Sequence, residues 1–298
     1  LVFNNVMLTS VLGIVLVGTL YPLLTEAVGE KVSVGPPYFT PVSALFAVPM
    51  LLVMAVGPLL RWRRDGLPRV ARPLLVPLAA LVLAALGLVL HGGIGALPLL
   101  GLALAPALAL ASLLPLRGRD LRRLPLPTWG MVCAHFGIAV ALFGMACDSA
   151  FTAERLVALP VGQSSTVGPW QVRLAGIMPV AGPNWTALEA DLVASYQGGA
   201  EVHLRPQARM FWAPPQNTPN SALHTRWNGQ LYTVLGDEAE GGRWQLRLWW
   251  KPFVPLIWLG GILVALGGVM ALLGRVLADL RRFAARRRVA TRRSGSKA

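Results

Sequence analysis

The sequence predicts a polytopic α-helical membrane protein with about six transmembrane helices and an inserted, ~100-residue antiparallel β-domain. Three observations predict this fold class. Of the 298 residues, 55% are hydrophobic and only 13% are charged, which is too apolar for a soluble domain of this length. The apolar residues form six windows of the ~20 residues that cross a bilayer. One long segment shows the short alternating runs that are typical of strands.

The six predicted spans are residues 6–27, 41–60, 74–91, 94–116, 128–148 and 253–274. Basic residues flank them unevenly, in the segments 61–72 and 117–123 and in the tail from Arg275. These three segments hold 18 of the 27 basic residues but 3 of the 13 acidic ones. The positive-inside rule therefore places them in the cytoplasm and residues 148–252 on the outer side.

The net charge of +14 does not indicate nucleic-acid binding, because the basic residues lie beside the apolar runs and in the tail. We predict that the tail contacts anionic lipid instead. The predicted domains are helices one to five (1–147), the β-domain (148–252), the final helix (253–274) and a basic tail (275–298). Because the chain begins at Leu1 without an initiating Met, we expect it to be part of a longer protein.

The β-domain is predicted from runs such as WQVRLAG and RWQLRLWW, in which apolar and polar residues alternate. The segments YQGGAE and DEAEGGRW are typical of hairpin turns. A small barrel or a sandwich fits this pattern. Since apolar spans precede and follow the domain, it must sit on the face of the membrane.

One histidine lies inside the fifth predicted span, where ionisable residues are costly and usually face the protein interior. This residue, His135, is either a neutral side chain hydrogen-bonded to a neighbouring helix or a ligand. At 100° per residue it lies ~140° from a stripe that would admit another helix closely. It falls alongside apolar residues instead, so a flat apolar macrocycle with one axial imidazole fits the site. The stripe is Gly130, Ala134, Gly137, Ala141, Gly144 and Asp148, and the apolar neighbours are Met131, Ile138 and Leu142.

The other three histidines are weaker candidates. We expect His91 to lie at the outer interface, His203 on a solvated strand face and His224 in an exposed loop. No combination of the four has the spacing of a zinc site or a catalytic triad. Cys133 and Cys147 are ~21 Å apart along one helix and cannot form a disulfide with each other.

Two further segments combine aromatic and proline or basic residues near predicted span ends. VGPPYF is expected to be a rigid outer loop, either an aromatic anchor at the interface or a wall of a ligand cavity. RLWWKPF is expected to be an aromatic belt whose basic residues meet lipid phosphates or the acidic groups of a ligand. The residues concerned are Pro36, Pro37, Tyr38 and Phe39 in the first segment and Arg247, Trp249, Trp250 and Lys251 in the second, with Phe253 and Trp258 beyond.

Three segments together resemble the C-terminal half of the cytochrome c-type biogenesis haem lyases of the CcmF/NrfE family. They are GTLYPLLTEAVGEKVSVGPPYFTPV, AHFGIAVALFG and RLWWKPFVPLIWLGG, and GPNWTALEADLVA and LYTVLGD also resemble that family's outer domain. The resemblance implies an inner-membrane protein with a periplasmic β-domain. It also implies covalent attachment of haem to apocytochrome c, with a haem chaperone and thiol-delivering factors as partners.

The resemblance further implies that His135 is an axial ligand of haem b. On this reading VGPPYF is a wall of the haem cavity or a contact to the haem chaperone, and Arg247 and Lys251 meet haem propionates. The family's tryptophan-rich haem-binding motif, its flanking histidines and the second haem b ligand belong to its N-terminal half and are not visible here. We therefore expect the chain to act with an N-terminal half or companion subunit and not to be active alone. Two alternatives are a structural scaffold of the same complex and a small-molecule or haem transporter. The transporter would need several ionisable residues in its spans.

Overall fold

A computed structural model of the protein describes residues 2–57 and 67–295. The described residues do not include Leu1, the end of the predicted second span at 58–60, most of the basic cluster that follows this span, or residues 296–298. The chain divides into two compact units. One comprises 1–81, 106–136 and 267–298, and the other comprises 82–105 and 137–266.

Six helices in the described part of the chain are long and apolar enough to cross a membrane, which confirms the predicted number of spans. Two short 3-10 helices, Leu114–Leu116 and Leu121–Arg123, join the fourth helix to the fifth. The helices are α1 Val2–Ala27, α2 Pro36–Val56, α3 Leu67–His91, α4 Ala96–Leu113, α5 Leu126–Phe151 and α6 Val254–Gly295.

Several helix ends differ from the predicted limits. The predicted outer loop at 36–40 is instead the first turn of α2, because prolines at the first helical positions have a suitable φ and lack N–H groups that would be unpaired there. α5 continues to Phe151, and Thr152 Oγ1 donates to the Asp148 carboxylate at its end (2.9 Å). α6 continues through the predicted basic tail, since residues 275–293 include no Gly or Pro that would stop it.

The segment after α5 folds as an antiparallel β-sandwich of ten strands, as predicted for this segment. One sheet has the strand order β1-β10-β9-β8; the other has β2-β3-β4-β6-β7, with β5 also paired to β4. Glycines with positive φ occupy the predicted turns, Gly198 before β5 and Gly241 and Gly242 before β10. The strands are β1 Ala153–Pro160, β2 Ser164–Val167, β3 Trp170–Ala181, β4 Trp185–Tyr196, β5 Glu201–Leu204, β6 Gln207–Trp212, β7 Pro215–Asn220, β8 Ala222–Arg226, β9 Gly229–Ala239 and β10 Arg243–Pro252.

Alternate residues of the two sheets form the core between them. Leu174 and Leu192 of one sheet and Leu231 and Leu246 of the other are fully buried. Trp250 completes the core and is only 8% exposed. A Cβ added at Gly229, which has a φ of +155°, would lie 2.5 Å from the Trp250 ring, so the ring fills the space that a side chain would occupy.

The helices that tether the sandwich, α5 and α6, pack with their backbones in contact. In the first unit, a Cβ added at Gly267 would lie 2.5 Å from the Gly130 carbonyl oxygen. In the second, a Cβ added at Gly260 would lie 2.5 Å from the Gly137 carbonyl oxygen. The small-residue stripe predicted for α5 is thus confirmed as a helix contact, and α6 supplies a matching stripe that the sequence analysis missed.

Replacing a glycine of this contact should destabilise the helix pair. We expect Gly260→Leu to cost about 1–3 kcal/mol or more, because the added side chain meets the α5 backbone. Gly261→Leu is a matched control on the adjacent residue, since a Cβ there meets nothing within 4 Å. Thermal unfolding of detergent-solubilised full-length protein should show a lower melting temperature for Gly260→Leu alone. Equal effects of both variants would contradict the assigned contact.

Removing the Trp250 side chain should destabilise the sandwich. Phe or Trp to Ala changes in cores cost about 3–5 kcal/mol, which lowers the melting temperature of a domain of this size by roughly 10 °C or more. Trp258→Ala is the control, because Trp258 on α6 is 74% exposed. Near-UV circular dichroism during heating measures both variants. An unchanged melting temperature for Trp250→Ala would show that the ring does not support the core.

Candidate functional site

His135 lies in the middle of α5 and is half-buried. Its Nδ1 is 2.7 Å from the carbonyl oxygen of Met131, one helical turn earlier. A carbonyl oxygen can only accept, so Nδ1 must carry the proton and donate it. A neutral ring with a protonated Nδ1 has its lone pair on Nε2, and no described residue is hydrogen-bonded to Nε2.

This arrangement is the one in which histidines usually bind metals. Metal-binding histidines almost always donate the other ring N–H to a carbonyl, a carboxylate or water, which fixes the tautomer and the ring orientation. The predicted alternative, a hydrogen bond to a neighbouring helix, is replaced by a bond within α5. The site therefore presents one oriented ring nitrogen, Nε2, whose lone pair can bind a metal ion within an apolar span.

The face of α5 that carries His135 is not the face in contact with α6. Ala134, the preceding residue, lies against Gly267 of α6, where an added Cβ would be 2.8 Å from the Ala134 Cβ. One residue along a helix is a rotation of 100°, so the imidazole points away from this contact. The close approach of α5 and α6 thus leaves the Nε2 side of His135 available.

The predicted VGPPYF site lies where α2 begins. Tyr38 and Phe39 pack edge to face at 5.2 Å and cover Gly18 of α1, where a Cβ would lie 2.5 Å from the Phe39 ring. A cavity of about 560 Å³ adjoins this contact, and none of its lining residues is on α5. It is lined by Val17, Gly18, Tyr21, Ser33, Val34, Gly35, Pro37 and Tyr38.

The predicted aromatic belt of RLWWKPF is divided by the fold. Trp250 is in the sandwich core and is not an interfacial residue, because alternate residues of β10 point inward. Trp249 is half-buried and packs edge to face on Tyr232 (5.1 Å). The two basic residues have protein partners: Arg247 lies 3.3 Å from the Glu154 carboxylate and Lys251 lies 3.5 Å from the Asp148 carboxylate.

The remaining histidines occupy three different environments. His91 is exposed at the end of α3. His203 is also exposed, and its Nδ1 lies 3.0 Å from Asp191. The prediction for His224 was wrong: it lies in β8, not in a loop, and its ring packs half-buried against Trp170 (5.4 Å). Among the described residues, no three His, Cys, Asp or Glu side chains are grouped to hold a metal ion.

The sandwich contains a cleft of about 660 Å³ that no feature of the sequence predicted. It opens beyond the end of β8, which pairs with β9 only from Gly229 to Thr233. Residues 234–239 of β9 therefore pair with β10 on one side, and on the other side they pair with no strand that the structure describes. Leu188 and Met210 on the facing sheet are 37% and 54% exposed. Other lining residues include Pro179, Ala208, Asn217, Pro219, Leu235 and Asp237.

The sequence and fold of this chain match those of known proteins. Residues 150–252 match the family described as CcmF C-terminal beta-sandwich. The chain is 31% identical over 277 residues to the cytochrome c-type biogenesis protein CcmF of Haemophilus influenzae, covering 89% of this chain and 43% of that protein. It is 36% identical over 282 residues to CycK of Rhizobium meliloti, covering 89% and 41% respectively.

The fold matches a solved structure of the cytochrome c heme lyase CcmF with a TM-score of 0.71 and 29% identity, over 90% of this chain and 44% of that one. The chain thus spans about two fifths of the length of the curated relatives it matches. The resemblance predicted from the sequence is confirmed: the chain is similar in sequence and in fold to cytochrome c-type biogenesis proteins of the CcmF/NrfE family, and residues 150–252 match that family's C-terminal β-sandwich.

Proposed function

We propose that this chain is the haem-handling C-terminal part of a membrane haem lyase that acts in cytochrome c maturation. The observation that carries the proposal is His135, whose Nδ1 donates to Met131 and whose Nε2 is available as a ligand. The match to CcmF and CycK proteins supports the same conclusion. In this proposal His135 is one axial ligand of a haem b.

The geometry of α5 fits a bound haem. The imidazole is oriented before binding, so little rotational freedom is lost when iron binds. The apolar span excludes water, which tunes the potential of a bound iron. When bound, the haem would supply one-electron chemistry at its iron, and the protein would supply the ligand, its orientation and the low-dielectric surroundings.

A bis-histidine haem needs a second imidazole, and we propose that it comes from the N-terminal half or companion subunit. His91 is exposed, His203 is paired with Asp191, and His224 is packed on Trp170 in the sandwich. None of the three shares the environment of His135. The covalent attachment of haem to apocytochrome c therefore requires the complete assembly, not this chain alone.

We propose that the start of α2, beside the cavity it forms with α1, is a wall of the haem cavity or a contact for the haem chaperone. Its volume is within the ~300–1,000 Å³ of small-molecule sites, and its lining is mostly apolar with Tyr21 and Tyr38 as aromatic faces. Gly18 allows Phe39 to pack against α1 and so helps to define this cavity.

We also propose that the sandwich, on the periplasmic side of a bacterial inner membrane, holds an extended segment of apocytochrome c in its cleft. The unpaired edge of β9 can add a strand, and Leu188 and Met210 can cover apolar side chains of that segment. Asp237, Glu238 and Glu240 form no ion pair with a described residue, which favours a basic segment. Thiol-delivering factors would act on the same substrate.

Two other functions have weaker support. A structural scaffold of the same complex accounts for the helix pair and the sandwich but gives no role to the free Nε2 of His135. A transporter would need ionisable residues at mid-membrane in several spans, whereas His135 is the one His, Asp, Glu, Lys or Arg that lies away from the ends of the described spans.

Removing His135 should abolish the haem b signal of the complete assembly. We expect His135→Ala to remove the b-type α-band from the reduced-minus-oxidised absorbance spectrum, because no other described side chain replaces the ligand. His203→Ala is the control, since it removes an imidazole that is exposed on the sandwich. An unchanged spectrum in folded, membrane-inserted His135→Ala protein would favour the scaffold function.

Reversing the charge at the cleft should weaken peptide binding by the full-length protein. The probe is a fluorescein-labelled synthetic peptide that spans the Cys-x-x-Cys-His segment of an apocytochrome c and carries flanking lysines. We expect Asp237→Lys to raise the Kd by about fivefold or more in fluorescence anisotropy, equivalent to the ~1 kcal/mol of an exposed charge contact. Glu201→Lys, on the exposed start of β5, is the control. Equal effects of both variants would contradict binding in the cleft.

A further inference from the structure

The hairpin between β8 and β9 carries an exposed tryptophan at its tip. Trp227 is 77% exposed, more than almost any other large apolar side chain that the structure describes. Its ring makes an edge-to-face contact with Phe253 at 6.4 Å and is otherwise uncovered by described aromatic residues. A side chain of this size is usually buried or placed where one end meets an apolar phase and the other meets water.

This tip lies at the end of the sandwich from which the membrane helices depart. Gly229, the first residue of β9, is paired with Pro252, the last residue of β10. The Phe253 N–H donates to the Asn228 carbonyl oxygen (3.0 Å), and α6 begins at the next residue, Val254. The hairpin tip is therefore at the level where an apolar span begins.

The end of the other tether lies at the same level. Lys251 Nζ, at the end of β10, is 3.5 Å from the carboxylate of Asp148, in the last turn of α5. Phe253 also contacts Phe143 of α5, with ring centroids 5.8 Å apart. The part of α5 from Phe143 to Asp148 thus runs beside the residues at which α6 begins, near the level where both apolar spans end.

The tip is held rigidly in this position. Asn228 Nδ2 donates to the hydroxyl of Tyr196 (2.8 Å), and the guanidinium of Arg226 lies over the Tyr196 ring at 4.4 Å. Arg226 is itself exposed and forms no ion pair with a described residue. A rigid turn with an indole next to a guanidinium has the composition of a membrane-interface anchor, in which the ring reaches the acyl boundary and the cation meets phosphate.

We propose that Trp227 and Arg226 bind the phospholipid interface and form a third attachment of the sandwich to the membrane, in addition to α5 and α6. The partner is the bilayer itself: the ring lies between headgroups and acyl chains, and Arg226 lies at phosphate level. Lipid binding by this tip does not depend on haem binding. The interfacial role that the sequence suggested for Trp250 is thus assigned to Trp227, on the hairpin of β8 and β9.

The test measures the depth of Trp227 in lipid. The native cysteines of the full-length protein are first removed by Cys133→Ala and Cys147→Ala. A single cysteine is then introduced by Trp227→Cys in one variant and by Glu240→Cys in another. Each single-cysteine variant is labelled with the fluorophore NBD and placed in phosphatidylcholine–phosphatidylglycerol nanodiscs. Residue 240 is the matched control, since it lies in the turn at the opposite end of β9, ~30 Å away at ~3.3 Å per residue. We expect lipids spin-labelled near the headgroup to quench the label at 227 at least twice as strongly as that at 240.

A second measurement avoids the cysteine replacements. The protein is placed in nanodiscs of lipid that is brominated near the top of the acyl chain, where bromine quenches nearby tryptophan. The fraction of intrinsic tryptophan fluorescence that is quenched should be smaller in Trp227→Phe than in the unmodified protein. Trp212→Phe is the control, as Trp212 is exposed on β6. Equal quenching of the labels at 227 and 240, or equal bromolipid quenching in Trp227→Phe and unmodified protein, would overturn the proposal.

Discussion

The close approach of α5 and α6 is the constraint on which the other features depend. Glycines recur every seven residues on both helices, at 130, 137 and 144 and at 260, 267 and 274, and the contacts run antiparallel. A seven-residue repeat keeps one face of each helix towards the other over several turns. Without side chains between them, the two backbones pack directly, as small residues allow in membranes where the hydrophobic effect does not drive helix association.

This contact decides what the rest of α5 can do. Because one face of α5 is in contact with α6, the imidazole of His135 points away from that contact. Its Nδ1 hydrogen bond to Met131 leaves the lone pair of Nε2 available to bind a metal ion. The same helix pair supports the sandwich, because α5 enters β1 and β10 leads into α6. The residues at this junction, Asp148, Lys251 and Phe253, link the strand ends to the helix ends by an ion pair and ring contacts.

The sandwich separates two kinds of surface along β9. At the end next to the helices, the hairpin with Trp227 is rigid and exposed to the membrane interface. Towards the other end, beyond the last residue paired with β8, the strand edge is open beside the apolar cleft. About 20 Å separates Gly229 from Leu235 along the strand at ~3.3 Å per residue, so attachment to lipid and binding of a polypeptide need not compete.

The sequence is enough to predict six spans, an antiparallel β-domain, the glycine stripe of α5 and His135 as an ionisable side chain inside a span. These depend on composition and local periodicity, which a single chain displays directly. The tertiary structure distinguishes the aromatic residues of the core from those of the surface. Trp250 lies inside and Trp227 outside, because strand pairing fixes the direction of each side chain. The tertiary structure also decided that His224 packs on Trp170 and that β8 is too short to cover β9, because the direction and length of a strand depend on the strands packed against it.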